Sequence, residues 1–160
     1  DIKIASLRYF NPVGAHHSGL IGESPINKPN NIIPVICNSV ETGEEMTVFG
    51  DDYPTKDGSC IRDYVHVSDI ADAHILALSQ LLVPAGVYNL GTSKGASNLQ
   101  VIDAARGVVH LPINVEFGPK REGDPAILTA DASKFNHLTK WLPKFTLHEI
   151  VQHAWSWYNR

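Results

Sequence analysis

The chain has 160 residues, of which 43% are hydrophobic, and it carries 13 Lys and Arg against 17 Asp and Glu for a formal net charge of −4. This length and apolar content allow one domain with a substantial core. The acidic balance argues against a nucleic-acid binder, which would show a basic face, and no run approaches the roughly eighteen apolar residues of a membrane span.

The first part of the chain predicts a strand, a long loop and a helix. Residues 2–10 are rich in Ile, Leu, Tyr and Phe and end at Asn11-Pro12, which indicates a strand followed by a turn. Residues 14–31 are heavy in Gly, Pro, Asn, Ser and His and predict a long irregular loop, a kind of segment that is usually functional. A helix is predicted from residue 33 to about residue 41, ending at Gly43.

Residues 46–49 predict a short strand, which an Asp-rich polar loop and a second strand at residues 64–67 follow. Ser68 is predicted to cap a helix that carries Asp69 and Asp72 in its first turn, where the helix dipole favours carboxylates. The apolar stripe of this helix is formed by Ile70, Ala73, Ala77 and Leu81.

The last part of the chain continues the alternation of strands and helices. Residues 87–90 predict a buried strand that ends at Gly91, and residues 113–117 alternate as another strand. Ser97 with Gln100 forms a capping box for a helix through about residue 109, Asp131 opens a short helix, and Thr146 with Glu149 caps a final one. Strands that alternate with helices predict the α/β class.

Cysteines and histidines give no metal-binding pattern. Cys37 and Cys60 form no CxxC pair; one disulfide is an alternative, but reduced thiols in a cytoplasmic protein are the favoured interpretation. His148 and His153 are five residues apart, which misses the spacing of two ligands on one helix face. We therefore expect scattered surface and packing histidines and no metal.

Two arginines are the strongest candidates for ligand contact. Arg62 and Arg121 each lie in a segment rich in glycine and carboxylates rather than on a regular amphipathic face. A guanidinium grips a phosphate through two parallel hydrogen bonds, so two of them suit a diphosphate. The alternative, which spacing alone favours slightly, is that they form loop ion pairs, Arg62 with Asp63 or Asp57 and Arg121 with Glu122 or Asp124.

Asparagines and missing motifs bear on function as well. Asn11 and the pair Asn30-Asn31 could bind hydroxyls or amides of a ligand, since an amide both donates and accepts, or each could cap its turn. The sequence has no GxGxxG after a strand and no Tyr-x-x-x-Lys, so it offers neither a dinucleotide phosphate cradle nor a catalytic residue. Met46 is the only methionine, and we expect the chain to be a piece of a longer polypeptide.

Together the segments resemble the C-terminal half of the UDP-glucose 4-epimerases, which are extended short-chain dehydrogenases/reductases. The loop that begins DYPT and leads into Arg62-Asp63-Tyr64 is the most specific of them. The matching segments occur in family order: LRYFNPVGAH (7–16), PNNIIP (29–34), VFGDDYPTKDGSCIRDYVHVSDIADAH (48–74), YNLG (88–91) and REGDPA (121–126), followed by Ala130-Asp131.

This resemblance implies a fold and an activity. Residues 1–160 would be a single UDP-sugar-binding C-terminal domain that includes the last strands of an incomplete Rossmann sheet and lacks the N-terminal nucleotide-binding half. The whole enzyme would interconvert UDP-galactose and UDP-glucose through a 4-keto intermediate, with an NAD bound mainly by the other half. The chain alone would then be inactive, because the catalytic Tyr-x-x-x-Lys would belong to the other half.

The resemblance also implies roles for individual residues. Phe10 would pack near the nicotinamide end of NAD, and Phe49 would lie against the uracil. Asn11 and Asn31 would bind the sugar and diphosphate. Arg62 and Arg121 would clamp the diphosphate, and Asp124 would bind the ribose hydroxyls. Some family members have a bulky aromatic where Leu128 stands, so we expect N-acetylated UDP-sugars to be only weakly excluded.

Assembly and alternative functions follow from the same resemblance. Family members are commonly homodimers, and the apolar strands at residues 4–10 and 87–90, without the rest of a sheet, favour strand exchange or self-association. One alternative function is a non-catalytic UDP-sugar-binding module. Another is a sister sugar-nucleotide dehydratase or decarboxylase, against which the DYPTKDG loop (52–58) argues.

Overall fold

The computed structural model describes residues 2–79 and 83–160. These residues form five helices, which are α1 (Ile32–Thr42), α2 (Val67–Ser79), α3 (Asn98–Val109), α4 (Ser133–Thr139) and α5 (Leu147–Tyr158). They also form nine short strands, which are β1 (Ala5–Tyr9), β2 (Asn11–Val13), β3 (Met46–Phe49), β4 (Ile61–Arg62), β5 (Tyr64–His66), β6 (Gly86–Leu90), β7 (Ala96–Ser97), β8 (Val115–Gly118) and β9 (Ile127–Leu128). Helices and strands alternate, which confirms the predicted α/β class.

Most strands pair in parallel across a helical connection. β1 pairs with β6, β2 with β5 and β3 with β8, each in parallel and each with at least one helix between the two strands in sequence. Parallel pairs need such a crossover, because the chain has to return to the same end of the sheet. β4 lies between β7, which is antiparallel to it, and β9, which is parallel to it.

Most predicted elements are present, with ends shifted by a few residues. β1, α1, β3, β6 and β8 lie where strands and a helix were predicted, and residues 14–31 contain no helix or strand, as expected. The predicted turn at Asn11-Pro12 is wrong, because these residues belong to β2, where the backbone N–H of Asn11 donates to the carbonyl oxygen of Asp63 at 3.0 Å. The short strands β4, β7 and β9 have two residues each, too few for a detectable alternation.

Helix starts were predicted correctly for α3 and α5 but not for α2 and α4. Ser97 and Thr146 both form complete capping boxes at the starts of α3 and α5. α4 begins at Ser133 with Ala132 rather than Asp131 at its N-cap position, although the carboxylate of Asp131 accepts from the N–H of Ser133 at 2.9 Å.

The predicted cap by Ser68 is wrong: α2 begins one residue earlier, and the backbone N–H of Ser68 donates to Nδ1 of His66 at 3.0 Å. The imidazole therefore takes the role that the sequence suggested for a hydroxyl. Leu81, predicted in the stripe of α2, lies outside the described residues.

Two apolar clusters form the core. The first lies among α1, α3, α5 and β3 and includes Ile36, Ile102 and Ile150. The second joins α2, α4 and β6 around Tyr88 and Phe135. The two cysteines are buried as free thiols. Within the described ranges, no helix combines the length and apolar character that crossing a membrane requires.

Candidate functional site

A cavity of about 470 Å³ lies between β3, the loop that precedes α1, and the segments around β4 and residues 121–124. Seven of the eight residues predicted to contact ligands line it, although they come from five separate segments of the chain. These seven are Phe10, Asn11, Asn31, Phe49, Arg62, Arg121 and Asp124. The fold thus brings the dispersed candidates together at one place.

Arg62 is held in the wall of the cavity by a partly buried ion pair. Its Nη2 donates to Oδ1 of Asp124 at 2.5 Å, its Nη1 donates to the carbonyl oxygen of Ile61 at 2.6 Å, and the residue is only 9% exposed. The predicted pairing with Asp63 or Asp57 is therefore wrong. A guanidinium has five N–H donors, so one carboxylate and one carbonyl leave donors free for an anionic ligand.

Asp63, next to this arginine, has a structural task instead. Its fully buried carboxylate accepts hydrogen bonds from the N–H and Oγ1 of Thr92, at 2.7 and 2.6 Å, and from the N–H groups of Ser93 and Ala130, at 2.9 and 3.0 Å. Gly91 makes this approach possible, since a Cβ there would lie 2.5 Å from Oδ2 of the carboxylate. The end of β6 and the segment after β9 are thereby tied to β4, which fixes the backbone from which the arginine projects.

Arg121 contacts an aromatic ring rather than a carboxylate. The carbon of its guanidinium lies 4.0 Å from the centroid of the Phe49 ring, in cation–π geometry. Among the described residues it forms no ion pair with Glu122 or Asp124, so the predicted loop ion pair is wrong. Because Arg121 is exposed, its charge can be shared with a ligand in the cavity.

The asparagines and Phe10 extend the cavity towards the first strands. Phe10 is half-buried at the bend between β1 and β2, and Asn11 is the first residue of β2. Asn31 occupies the N-cap position of α1, but its side chain does not cap; its Nδ2 donates to Oε1 of Glu23 at 3.4 Å. The capping alternative for the Asn31 side chain is therefore wrong, and its amide lines the cavity wall.

Leu128 is the predicted residue that the cavity does not include. It lies in β9, where it is the parallel partner of Arg62 in the strand register, and 44% of its surface is exposed. The structure thus places it one strand away from the guanidinium, beside the cavity rather than in its lining.

Among the cavity-lining residues that were not predicted, three are joined by hydrogen bonds. The hydroxyl of Tyr64 donates to Oδ1 of Asn98 at 3.0 Å, and Nδ2 of Asn98 donates to Sγ of Cys60 at 3.3 Å. Burial raises the pKa of both the Tyr64 phenol and the Cys60 thiol, so both stay neutral at ordinary pH. A signal was present, because residues 60, 62 and 64 alternate and an extended segment would place them on one face.

Charged groups of both signs line the cavity. Its cations are the two guanidinium groups and Lys28, and its carboxylates are those of Asp124, which is already paired, and of Glu44 and Glu45, which directly precede β3. Guanidinium groups bind phosphates bidentately, and an aromatic side chain such as Phe49 offers a face for a planar ring. The arrangement therefore suits a ligand that combines anionic groups with a flat ring.

Comparison with known proteins adds sequence and fold evidence to this geometry. A model of the NAD dependent epimerase/dehydratase family matches residues 1–91. Over 99% of the chain, the sequence is 43% identical to UDP-glucose 4-epimerase 4 of Oryza sativa subsp. japonica and 45% identical to the UDP-glucose 4-epimerase of Neisseria gonorrhoeae. The chain spans 44% and 48% of these relatives, under half of their length.

One solved structure is similar over the same extent. It is the crystal structure of a UDP-glucose 4-epimerase from Stenotrophomonas maltophila with bound NAD and formylated UDP-arabinopyranose. The TM-score is 0.95 at 42% sequence identity, and the match covers 99% of this chain and 48% of that one.

Proposed function

Because the chain belongs to the NAD dependent epimerase/dehydratase family, we propose that it is the substrate-binding, C-terminal half of a UDP-glucose 4-epimerase. Residues 1–160 would form a single UDP-sugar-binding domain, and the whole enzyme would interconvert UDP-galactose and UDP-glucose through a 4-keto intermediate. The observation that carries this proposal is the cavity in which two arginines, an aspartate, an aromatic ring and two asparagines converge. The names of the relatives supply the substrate class.

In this proposal, different polar groups of the cavity bind different parts of the ligand. Arg62 and Arg121 bind the diphosphate, the first from a fixed position and the second from an exposed one. Asp124 holds Arg62 with one carboxylate oxygen and accepts from the ribose hydroxyls with the other. Asn11 and Asn31 donate to and accept from the sugar and diphosphate, because an amide does both.

The residues of this chain fit NAD at one end of the cofactor only. Phe10 lines the cavity at the bend after β1 and offers an apolar face for the nicotinamide ring. The pyrophosphate of a dinucleotide needs a glycine-rich turn after a strand, and the sequence has no GxGxxG. NAD, when bound, accepts a hydride from the sugar and returns it. In the proposal the other half holds most of the cofactor and supplies the catalytic Tyr-x-x-x-Lys, so this chain alone would be inactive.

Two further proposals concern substrate range and assembly. Leu128 lies beside the cavity and is smaller than an aromatic residue, so the whole enzyme would not strongly exclude N-acetylated UDP-sugars; a near-zero rate on UDP-N-acetylgalactosamine beside good activity on UDP-galactose would contradict this. The whole protein would be cytoplasmic and would form a homodimer. Light scattering of the longer polypeptide would test the dimer.

The decisive experiment compares two polypeptides. Conversion of UDP-galactose to UDP-glucose is measured for the full reading frame that contains this chain and for the chain itself. Activity in the longer protein only is the expected result. If the longer protein is inactive while this chain still binds UDP-sugars, the chain is a binding module instead. Turnover by the longer protein of a sugar-nucleotide dehydratase or decarboxylase substrate would support that sister activity.

A pair of variants tests the cavity directly. Replacing Arg121→Gln should weaken binding of UDP about tenfold or more, since a hydrogen bond between charged groups contributes about 1.5–3 kcal/mol. Arg106→Gln is the matched control, because Arg106 pairs with Asp103 on the exposed side of α3 and lies outside the cavity lining. Equal affinity for UDP in the two variants would place the diphosphate elsewhere.

A further inference from the structure

Four histidines from three segments of the chain meet where the loop of residues 14–31 packs against α5. They are His16 and His17 of the loop, His66 of β5 and His153 of α5. The ring centroids of the two loop histidines are 4.2 Å apart, those of His17 and His153 are 6.5 Å apart, and those of His66 and His153 are 5.2 Å apart. These four imidazoles form one group, the histidine cluster.

The hydrogen bonds of the histidine cluster require neutral rings. Nε2 of His66 donates to Nδ1 of His153 at 3.0 Å, because Nδ1 of His66 already accepts from the N–H of Ser68. In the loop, Nδ1 of His16 accepts from the N–H of Ser18 at 3.3 Å. A second proton on His153 would go onto Nδ1, where it would face the N–H of His66, so that two donors would oppose each other. Protonation of the cluster therefore breaks hydrogen bonds that hold it together.

The surroundings of the histidine cluster offer little compensation for a positive charge. Among the described residues, none of its imidazoles forms an ion pair with a carboxylate. Burial lowers the pKa of His153, the charge of Glu149 opposes this, and the two loop histidines add to the lowering. The carboxylate of Glu149 is engaged elsewhere, since its Oε2 accepts from the N–H and Oγ1 of Thr146 in the capping box of α5. A loop that packs on α5 thus disfavours a second proton on His153.

The same loop forms one side of the cavity, which residues 28–31 line. α5 contacts the loop at a second point, where Nε1 of Trp157 donates to the carbonyl oxygen of Glu23 at 2.8 Å and a Cβ on Gly22 would overlap the indole. The side chain of Glu23 reaches the cavity wall, because its Oε1 accepts from Nδ2 of Asn31 at 3.4 Å. The contacts between α5 and the loop are therefore continuous with a side chain of the cavity.

We propose that the histidine cluster is a pH-sensitive switch: neutral imidazoles hold residues 16–23 against α5, and protonation releases this segment and weakens ligand binding at Asn31. The inference rests on the proposed function, in which Asn31 binds the sugar and diphosphate. The direction follows from the lowered pKa of His153, since the released loop binds a proton more readily than the docked one. Docking is therefore complete above the ordinary histidine pKa of about 6.5 and is lost as the pH falls below it.

The experiment measures binding of UDP-glucose by isothermal titration calorimetry at about pH 7.5 and about pH 5.5, the range in which histidines titrate. The diphosphate of UDP-glucose does not titrate in this range, so a change in affinity reports on the protein. The affinity of the unaltered chain should fall at least about fivefold at the lower pH. Protection of residues 16–23 against hydrogen exchange, corrected for the intrinsic rate, should be lost in parallel. His153→Asn keeps an oxygen that can accept from His66 but cannot be protonated, so this variant should keep both its affinity and its protection.

His148→Asn is the matched control, because His148 is exposed on the same helix and lies outside the histidine cluster, so its variant should show the same fall in affinity as the unaltered chain. Circular dichroism at both pH values verifies that each protein is folded. UDP-glucose binding that is independent of pH in the unaltered chain, or that falls equally in His153→Asn, overturns this inference and leaves the proposed function standing. Absence of UDP-glucose binding at both pH values overturns both. His17 is exposed, so His17→Asn, which should reduce the fall, serves if His153→Asn does not fold.

Discussion

Lowering the pH from about 7 to about 5 should destabilise this protein by about 2 kcal/mol through one buried imidazole. His66 is fully buried and stacks on Phe145 with ring centroids 4.1 Å apart. Its Nδ1 accepts from the N–H of Ser68, so its proton is on Nε2, which faces Nδ1 of His153 at 3.0 Å. A second proton would go onto Nδ1 of His66, where it would face the N–H of Ser68, so two donors would oppose each other.

The magnitude follows from the two pKa values of His66. Burial, and secondarily the neighbouring His153, lowers the pKa in the folded protein to about 4, whereas the ordinary value is 6.5. Between these values the unfolded chain binds the proton and the folded protein does not, so stability is fully present above about pH 6.5 and falls as the pH is lowered towards about 4. At about 1.4 kcal/mol per pH unit the whole interval is worth about 3 kcal/mol, of which about 2 kcal/mol is lost by pH 5.

Urea unfolding followed by tryptophan fluorescence measures this loss at each pH. His66→Asn keeps an oxygen that can accept from Ser68 but cannot be protonated in this range, so its stability should fall by about 2 kcal/mol less than that of the unaltered chain. His148→Gln, on the exposed side of α5, should leave the dependence on pH unchanged. Burial also lowers the pKa of His153, which adds to the same trend, while Glu149 opposes it in both histidines. The same dependence on pH in His66→Asn and the unaltered chain would refute the reasoning.

The fold supports two more predictions. Gly91→Ala should destabilise the protein by about 1–3 kcal/mol, because its Cβ would lie 2.5 Å from Oδ2 of Asp63. Gly107→Ala in α3 meets nothing within 4 Å and should stabilise by up to about 1 kcal/mol; denaturant unfolding that gives the two variants the same sign would contradict this contrast. The isolated chain should self-associate, since Ile4 and Leu78 expose 66% and 86% of their surfaces near β1 and on α2; a clean monomer by light scattering with cooperative unfolding would oppose this.

Local patterns predicted the elements well because their causes are local. The capping boxes at Ser97 and Thr146 depend on residues three apart, and both are present. The cap of α2 was missed because the imidazole of His66, rather than the hydroxyl of Ser68, accepts the backbone N–H at the start of the helix. Histidine is not among the residues that capping preferences favour, so the sequence offered no reason to choose it. Strands of two residues were missed for a similar reason: pairing with distant segments, rather than their own pattern, makes them strands.

Seven of the eight residues that the family resemblance named line one cavity, whereas the ion pairs among them were not predicted. Spacing favoured an ion pair between Arg62 and a nearby carboxylate, that of Asp63 or Asp57, because nothing in the sequence indicates a partner 62 residues away. The fold decides otherwise, since four hydrogen-bond donors already surround Asp63 and saturate its carboxylate. Asp124 therefore forms the ion pair with the guanidinium of Arg62, and both residues line the cavity.

The two arginines of the cavity differ in how they are held, and this sets how each contributes to binding. Arg62 is 9% exposed and already oriented by Asp124 and the Ile61 carbonyl, so little side-chain entropy is left to lose when an anion arrives. Arg121 is exposed and its cation–π contact with Phe49 holds it less firmly, so in the proposed function it would lose more side-chain entropy when an anion binds. Arg62→Lys, which loses the planar fork, should therefore lower both stability and affinity for UDP. Arg121→Lys should lower affinity alone; a loss of stability in that variant as large as in Arg62→Lys would show that both side chains are structural.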